Sequence, residues 1–274
     1  MINTTGIHHV TSIASDPQQN VDFYTEVLGL RLVKKTLNFD DKYTYHLYYG
    51  DEVGTPGTIL TFFPFENGWP GRVGRGQTSA TAFVIPEGSV EYWIGRLESH
   101  DVEVDSPRTR FDETVVPFRD YDGQPLELVT GTTNIEPWTD GPVPVENAIR
   151  GFHSVTLESL NPEQTGRVLD TLGYEPAERN DDRTRYRASG DRAAIVDVRE
   201  RSDAPARTTG RWNRPPRGIS CARRRDTTGV ARAARRQWTP SHVTEGPSVL
   251  QIDLLPGARG STLRDRHRRA GIHP

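Results

Sequence analysis

Apolar and polar positions along the chain fall into short alternating runs, each set built around one helical segment. Residues 7–13 (IHHVTSI) predict a strand. After Asp16-Pro17, the residues Val21, Phe23, Tyr24, Val27 and Leu28 recur at helical spacing and give one apolar face, with Gly29 as the stop. Arg31–Leu37, Tyr43–Tyr49 and Thr58–Phe63 follow as strands separated by turn residues. The order β-α-β-β-β then begins again. Thr78–Ile85 is a strand, Ser89–His100 a helix with Val90, Trp93, Ile94 and Leu97 inward, and Val102–Val104, Glu113–Phe118 and Leu126–Thr130 are strands. A third copy opens at Gly151-Phe152-His153-Ser154-Val155-Thr156, runs through a helix at Pro162–Leu172 that breaks at Gly173, and continues with strands at Thr184–Ala188 and Ala193–Val198. A period of roughly 70 residues indicates a duplicated module rather than a solenoid.

The fold class expected is α+β: tandem βαβββ modules forming open mixed β-barrels. Residues 1–131 make a first domain of two modules (1–65 and 77–131), 132–149 a Pro- and Gly-containing linker, and 150–200 a third module. From 201 to 274 the pattern dissolves. Arg207–Arg236 has no sustained apolar period, and an irregular or disordered Arg-rich tail is expected there.

Charge separates the same two parts. Residues 204–274 hold 15 Arg, no Lys and 4 acidic residues, a net of +11, which leaves −14 for residues 1–203. The chain has only three lysines, Lys34, Lys35 and Lys42. An acidic, lysine-poor surface suits a salt-rich cytoplasm, where self-repulsion is screened. The tail has few aromatics to stack on bases and no nucleic-acid-binding motif, so no specific nucleic-acid partner is expected. No apolar run reaches the length of a membrane span and no signal pattern opens the chain, so a cytoplasmic protein is expected. Cys221 is the single cysteine, which excludes an internal disulfide and a cysteine-rich zinc site. Phosphate-binding glycine loops, nucleophile elbows and zinc-protease helix motifs do not occur. Homo-oligomerisation is left open.

Four segments carry a family resemblance: GIHHVTSIASDPQQNVDFYTEVLGLRLVKKTLNFDD, TAFVIPEGSVEYW, DYDGQPLELV and GFHSVTLES. Through about residue 200 the chain resembles the vicinal oxygen chelate (glyoxalase, bleomycin resistance and extradiol dioxygenase) superfamily. Within it, the chain resembles ring-cleaving dioxygenases of hydroquinone type. The resemblance implies four βαβββ modules paired into two open barrels around Fe(II) or Mn(II), acting on a small aromatic diol and O₂. A triad of two histidines and one carboxylate suits such a metal because it leaves positions open for substrate and oxygen. His9 is implied as the first ligand, and His8 and Thr11 match positions beside the substrate. Strand alternation sends His8 and His9 to opposite faces. The plain alternative for His9 is a strand histidine hydrogen-bonded to a neighbour.

The resemblance also implies a fourth module that starts with GTVHHVA and ends with VLFEIATD, supplying the other two ligands. Neither string is present, yet both emerge when the reading frame moves by one nucleotide. Ser261–Arg269 (STLRDRHRR) can be encoded AGT ACT CTT CGA GAT CGC CAC CGA CGG, and dropping the first base gives VLFEIATD. Val249–Gly260 permits YFKSIYFREPGG and Trp212–Gly218 permits GTVHHVA in the same frame. Pro215 and Pro216 thus lie over the histidine pair, and Arg264 and Asp265 straddle the glutamate codon. The metal site is therefore expected to be weak or absent in this chain. Glu127 is the second module's counterpart of the lost glutamate, and His153 is read as the third module's counterpart of His9. They form a weak alternative metal site, with structural roles as the plainer reading. His46, His100, His242, His267 and His273 carry no ligand-like spacing, and Tyr43, Tyr45, Tyr48 and Tyr49 are expected to pack along strands.

The function expected is a metal-dependent ring-cleaving dioxygenase, impaired in this form. A glyoxalase-like lyase or isomerase, a metal-free small-molecule binding protein and a defective product are the rivals. Sequencing the gene through the codons for Asp203–Thr208 is expected to show a single-nucleotide shift from a frame that encodes GTVHHVA and VLFEIATD. Codons incompatible with those strings would refute the shift.

Overall fold

The computed structural model describes residues 4–39, 41–65, 76–201 and, as backbone, 251–256. The first module consists of β1 (Thr4–Ala14), α1 (Pro17–Asp22, extended by a wider π-helical turn at Phe23–Val27), β2 (Arg31–Leu37), β3 (Tyr45–Gly50) and β4 (Ile59–Pro64). Asp16 caps α1 by accepting from the Gln19 N–H at 2.8 Å, with Pro17 in the first helical position, where its missing N–H costs nothing. Gly29 ends the turn at φ +68°, a left-handed conformation that other residues adopt only with strain.

The second module comprises β5 (Thr78–Ile85), α2 (Val90–Ser99), β6 (Arg108–Arg110), β7 (Glu113–Arg119) and β8 (Pro125–Thr130). The third comprises β9 (Phe152–Ser159), α3 (Pro162–Thr171), β10 (Glu175–Asn180), β11 (Arg183–Arg187) and β12 (Ile195–Glu200). One further strand, β13 (Gln251–Pro256), completes the described residues. The protein is α+β, as expected, with strands predominating.

Two sheets hold these strands. One has the order β13-β1-β4-β3-β2; the other has the order β10-β11-β12-β9-β5-β8-β7-β6. Sheet partnership cuts across the grouping of residues 1–65 with 77–131, because the second module joins the third through antiparallel β5–β9. The tail also differs from expectation, since residues 251–256 pair antiparallel with β1. The physical reason is that β1 otherwise presents a row of unpaired backbone groups, and any extended segment can satisfy them. In the second module, the strand expected at Val102–Val104 reduces to a single bridge from Val104 to Phe118, and the edge strand falls at Arg108–Arg110 instead.

The helices cover one face of each sheet. Phe23, Tyr24, Val27 and Leu28 bury against Leu47, Tyr49, Leu60 and Phe62, while Trp93 and Leu97 join a core containing Phe83, Val116, Phe118, Leu126 and Leu128. Burial of each such side chain contributes about 1.5–3 kcal/mol. The opposite face of each curled sheet, called here a trough, carries the polar residues discussed below.

Backbone and side-chain hydrogen bonds tie the modules together. Ile7 N–H donates to Ala193 C=O at 2.8 Å and Phe152 N–H to Gly57 C=O at 2.8 Å. Gly6 is needed for this approach, since a Cβ there would stand 2.7 Å from the Arg192 carbonyl oxygen. Between the first and second modules, Tyr24 Oη donates to buried Asp120 at 2.9 Å, and Asp120 also accepts from the Asp122 and Gln124 N–H groups at 3.0 and 2.8 Å.

Burial raises the Asp120 pKa from its ordinary 3.8 to about 6, against the lowering effect of these hydrogen bonds. The folded chain thus holds this proton more tightly than the unfolded chain. The stability that follows is complete below the unfolded pKa and is lost as pH rises through the folded one, a difference of about 2–3 kcal/mol. Denaturant unfolding of the wild type and Asp120→Asn between pH 4 and pH 7 is expected to show that slope in the wild type alone.

Candidate functional site

Within each module, the first strand lies parallel to the last. In the first module His9 stands beside Ile59 and Thr11 beside Thr61. In the second, Ala82 stands beside Glu127. In the third, Ser154 stands beside Ile195 and Thr156 beside Asp197. These registers make Thr61, Glu127 and Asp197 the equivalent last-strand positions. They also correct one expectation: Ser154, not His153, is the third module's counterpart of His9, and His153 corresponds to His8. Gly-Ile-His-His against Gly-Phe-His-Ser carries that alignment in the sequence itself.

The first trough gathers more than was expected. His8 and His9 do not divide between faces; their Nδ1 atoms lie 3.1 Å apart and their rings meet edge to face at 5.2 Å. A register irregularity between Ile7 and His9 in the β1–β13 pairing breaks the alternation that would have separated them. Thr61 Oγ1 donates to buried Thr11 Oγ1 at 2.9 Å, and His46 Nε2 lies 3.1 Å from Thr61 Oγ1. With the Thr61 proton committed to Thr11, His46 Nε2 must donate to Thr61. Its Nδ1 then accepts from Tyr48 Oη at 2.9 Å. The His46 ring stacks between Tyr48 and Phe63, with centroids at 4.1 and 3.9 Å. Burial, then the nearby His9 and the charge of Lys34, push the His46 pKa down to about 4, so the ring is neutral at pH 7.

His46 has no ligand-like spacing in the sequence, and Tyr48 reads there as strand packing. The signal that finds them is strand parity: Leu47 and Tyr49 are wholly buried under the helix, which turns residues 46 and 48 to the trough.

A divalent metal needs more than this trough supplies. Among the described residues, no group of three or more His, Cys, Asp or Glu side chains is placed to hold a metal ion. The last-strand position beside Thr11 is Thr61, a hydroxyl rather than a carboxylate. Pro215, Pro216, Arg264 and Asp265 lie outside the described residues. The described residues therefore do not complete the site.

The second trough holds carboxylates, but arginines hold them. Glu127 accepts from Arg110 Nη1 at 2.6 Å and from Arg108 Nη2 at 2.8 Å. Asp197 accepts from Arg185 Nε at 2.9 Å and Arg183 Nη1 at 3.0 Å. His153 sits elsewhere, bonded to Glu113 at 2.9 Å and to Ser154 at 3.0 Å. Glu127 and His153 thus share no direct contact and sit at opposite ends of one ion-pair network, joined through Arg110, Asp197, Arg185 and Glu113. Burial would raise the Glu113 pKa, but His153 and Arg185 bring it down to about 2; the same opposition, with Arg185 and Arg183 prevailing, keeps Asp197 below its ordinary value.

This geometry has counterparts among known proteins. The model of the Glyoxalase/Bleomycin resistance protein/Dioxygenase superfamily matches residues 6–128. A protein of Bacillus subtilis (strain 168) carrying the name ring-cleaving dioxygenase MhqO is 45% identical over 200 residues, which cover 72% of this chain and 63% of that protein. The chlorohydroquinone/hydroquinone 1,2-dioxygenase of Sphingobium indicum is 36% identical over 200 residues, covering 70% of this chain and 62% of that one. A crystal structure of a dioxygenase from Bacillus subtilis superimposes with a TM-score of 0.72 at 42% identity, covering 77% of this chain and 68% of that one. The chain belongs to the glyoxalase/bleomycin resistance/dioxygenase superfamily. It is similar to ring-cleaving dioxygenases of hydroquinone type, and it spans just under two thirds of the length of the MhqO relative.

Among the described residues, no helix is long and apolar enough to cross a membrane.

Asp197 tests how far the second trough depends on its charges. Asp197→Ala leaves Arg183 and Arg185 buried without their main acceptor, and denaturant unfolding is expected to show a loss of about 3–5 kcal/mol. Thr61→Ala, which removes neutral hydrogen bonds only, is expected to cost about 1 kcal/mol.

Proposed function

We propose that the first trough is the aromatic-diol site of a ring-cleaving dioxygenase, in a chain that holds its metal weakly. The observation that carries this reading is the meeting of His8, His9, Thr11, Thr61, His46 and Tyr48 on one face of a superfamily fold. The dioxygenase names of the relatives support the reaction class. In the intact family form, His9 would be one ligand of Fe(II) or Mn(II), and the ion would supply the meeting point for a hydroquinone and O₂.

The chain's own residues do the rest of the recognition. Thr11 accepts from Thr61, which leaves its own hydroxyl proton available to a substrate oxygen. The neutral His46, fixed between two aromatic rings, orients Thr61 without placing a charge beside the ring to be cleaved. His8 flanks His9 as a further polar contact. The organisation 1–65, 77–131, 150–200 and a displaced fourth module in 201–274 belongs to the same proposal. The 200-residue match to MhqO covers 72% of the chain, which fits a sequence that leaves the family's frame. A second reading is a metal-free protein that binds phenols. The hydrogen-bond chain from Tyr48 to Thr11 favours it, being complete without an ion.

Metal content and oxygen uptake separate these readings. After reconstitution with Fe(II) and desalting, iron is expected to fall well below one per chain, with no hydroquinone-dependent oxygen consumption. Stoichiometric iron with turnover would overturn the impairment. Quenching of intrinsic fluorescence by hydroquinone that survives chelator is expected in either reading, and His46→Ala should weaken it. The absence of any quenching would remove the first trough as a diol site.

A further inference from the structure

Four strands of the first sheet meet in register along one row of the first trough. Thr11 on β1 pairs with Thr61 on β4, Thr61 with Tyr48 on β3, and Tyr48 with Lys34 on β2. Paired residues of adjacent strands share a face, so Lys34 stands on the trough side with the other three. Adjacent strands lie about 4.8 Å apart, which puts Lys34 about 14 Å along the sheet from Thr11. Buried Thr11 and Thr61 form one end of the row, half-buried Tyr48 its middle and exposed Lys34 the other end.

Lys34 reaches this face through an irregularity of β2. Leu32 pairs with the wholly buried Tyr49 and packs against the core, yet Lys34, two residues on, pairs with trough-facing Tyr48. In a regular strand residues 32 and 34 point the same way; the register shift between them re-aims Lys34. Its Nζ sits over the Tyr48 ring, 5.4 Å from the centroid, and among the described residues it has no carboxylate partner. The charge is felt further along the trough at His46, whose pKa is lowered first by burial, then by His9 and Lys34. Lys35 differs. It pairs with core-facing Leu47 and lies over Tyr45, on the other side of the sheet. The strand irregularity thus brings a cation to a row otherwise made of hydroxyl groups.

We propose that Lys34 sets the substrate class of the first trough: a hydroquinone with an acidic side arm, its diol end at Thr11 and its carboxylate at Lys34. This inference rests on the reading of that trough as a diol site. A hydroquinone ring with its two oxygens is too short to engage both ends of the row. A carboxymethyl arm closes the gap once the lysine side chain reaches inward, and the ammonium then meets the acid in a charge-assisted contact. The ring between them lies against Thr61 and Tyr48, beside the neutral His46. Residues 1–203 carry a net charge of −14, so an anion approaching without Lys34 would meet repulsion.

Calorimetric titration of the full chain with 2,5-dihydroxyphenylacetate and with its neutral methyl ester, in chelator and at low salt, tests this. The acid is expected to bind about three- to fivefold more tightly than the ester, the range of a partly solvated ion pair. The difference should close as salt is raised. Lys34→Gln is expected to erase or reverse it, while Lys35→Gln, which removes the same charge from the other side of the same strand, keeps it. Equal binding of acid and ester by the wild type, a difference that survives Lys34→Gln, or one lost equally in Lys35→Gln would overturn the role of Lys34 and leave the diol site standing. Binding of neither compound would overturn both.

Discussion

The parallel pairing of first and last strand within each module is the constraint on which the rest depends. It fixes which two side chains lie together in the trough, because a strand alternates faces with a period of two and a one-residue slip would exchange them all. Thr11 beside Thr61, Ala82 beside Glu127 and Thr156 beside Asp197 are one place in the fold written three times. The backbone decides where chemistry can occur; the residue at that place decides which chemistry.

The two troughs have settled their electrostatics differently. The first is built from imidazole and hydroxyl groups joined in a chain of hydrogen bonds from Tyr48 to Thr11. The second places full charges out of water, where each is tolerable only if its partners are in position. That difference reaches the acidic groups. Glu113 and Asp197 contribute stability at neutral pH that is lost as pH falls through their depressed folded values, whereas Asp120, raised by burial, runs the other way. The interior therefore has no single preferred direction on the pH scale.

Much of this was legible in the sequence. Apolar periodicity found the βαβββ order of the first module and, apart from an edge strand, those of the second and third, with the helix start after Asp16-Pro17, the stop at Gly29 and the helix faces around Tyr24, Trp93 and Leu97. What escaped has identifiable causes. Strand β10 reads EPAERN and lies exposed along its whole length, so no burial pattern betrays it. His46 was judged by ligand spacing, when its importance comes from a neighbour on another strand. His8 and His9 were separated by an ideal alternation that an irregular β1 does not keep. The arginines that fill the second trough come from β6 and β11 of the same modules, with Arg185 directly across the ladder from Asp197, and only the strand register shows that they meet the carboxylates.

The lysines leave a practical consequence. Lys34, Lys35 and Lys42, the chain's only lysines, sit in or beside the β2–β3 hairpin, each ammonium over a tyrosine ring at 5.4, 4.3 and 5.2 Å. Apart from the amino terminus, every primary amine is thus confined to one corner of the molecule, at the far edge of its sheet from β1. Amine-directed coupling to a resin or dye would attach the protein almost always in one orientation, with the arginine-lined interior left untouched.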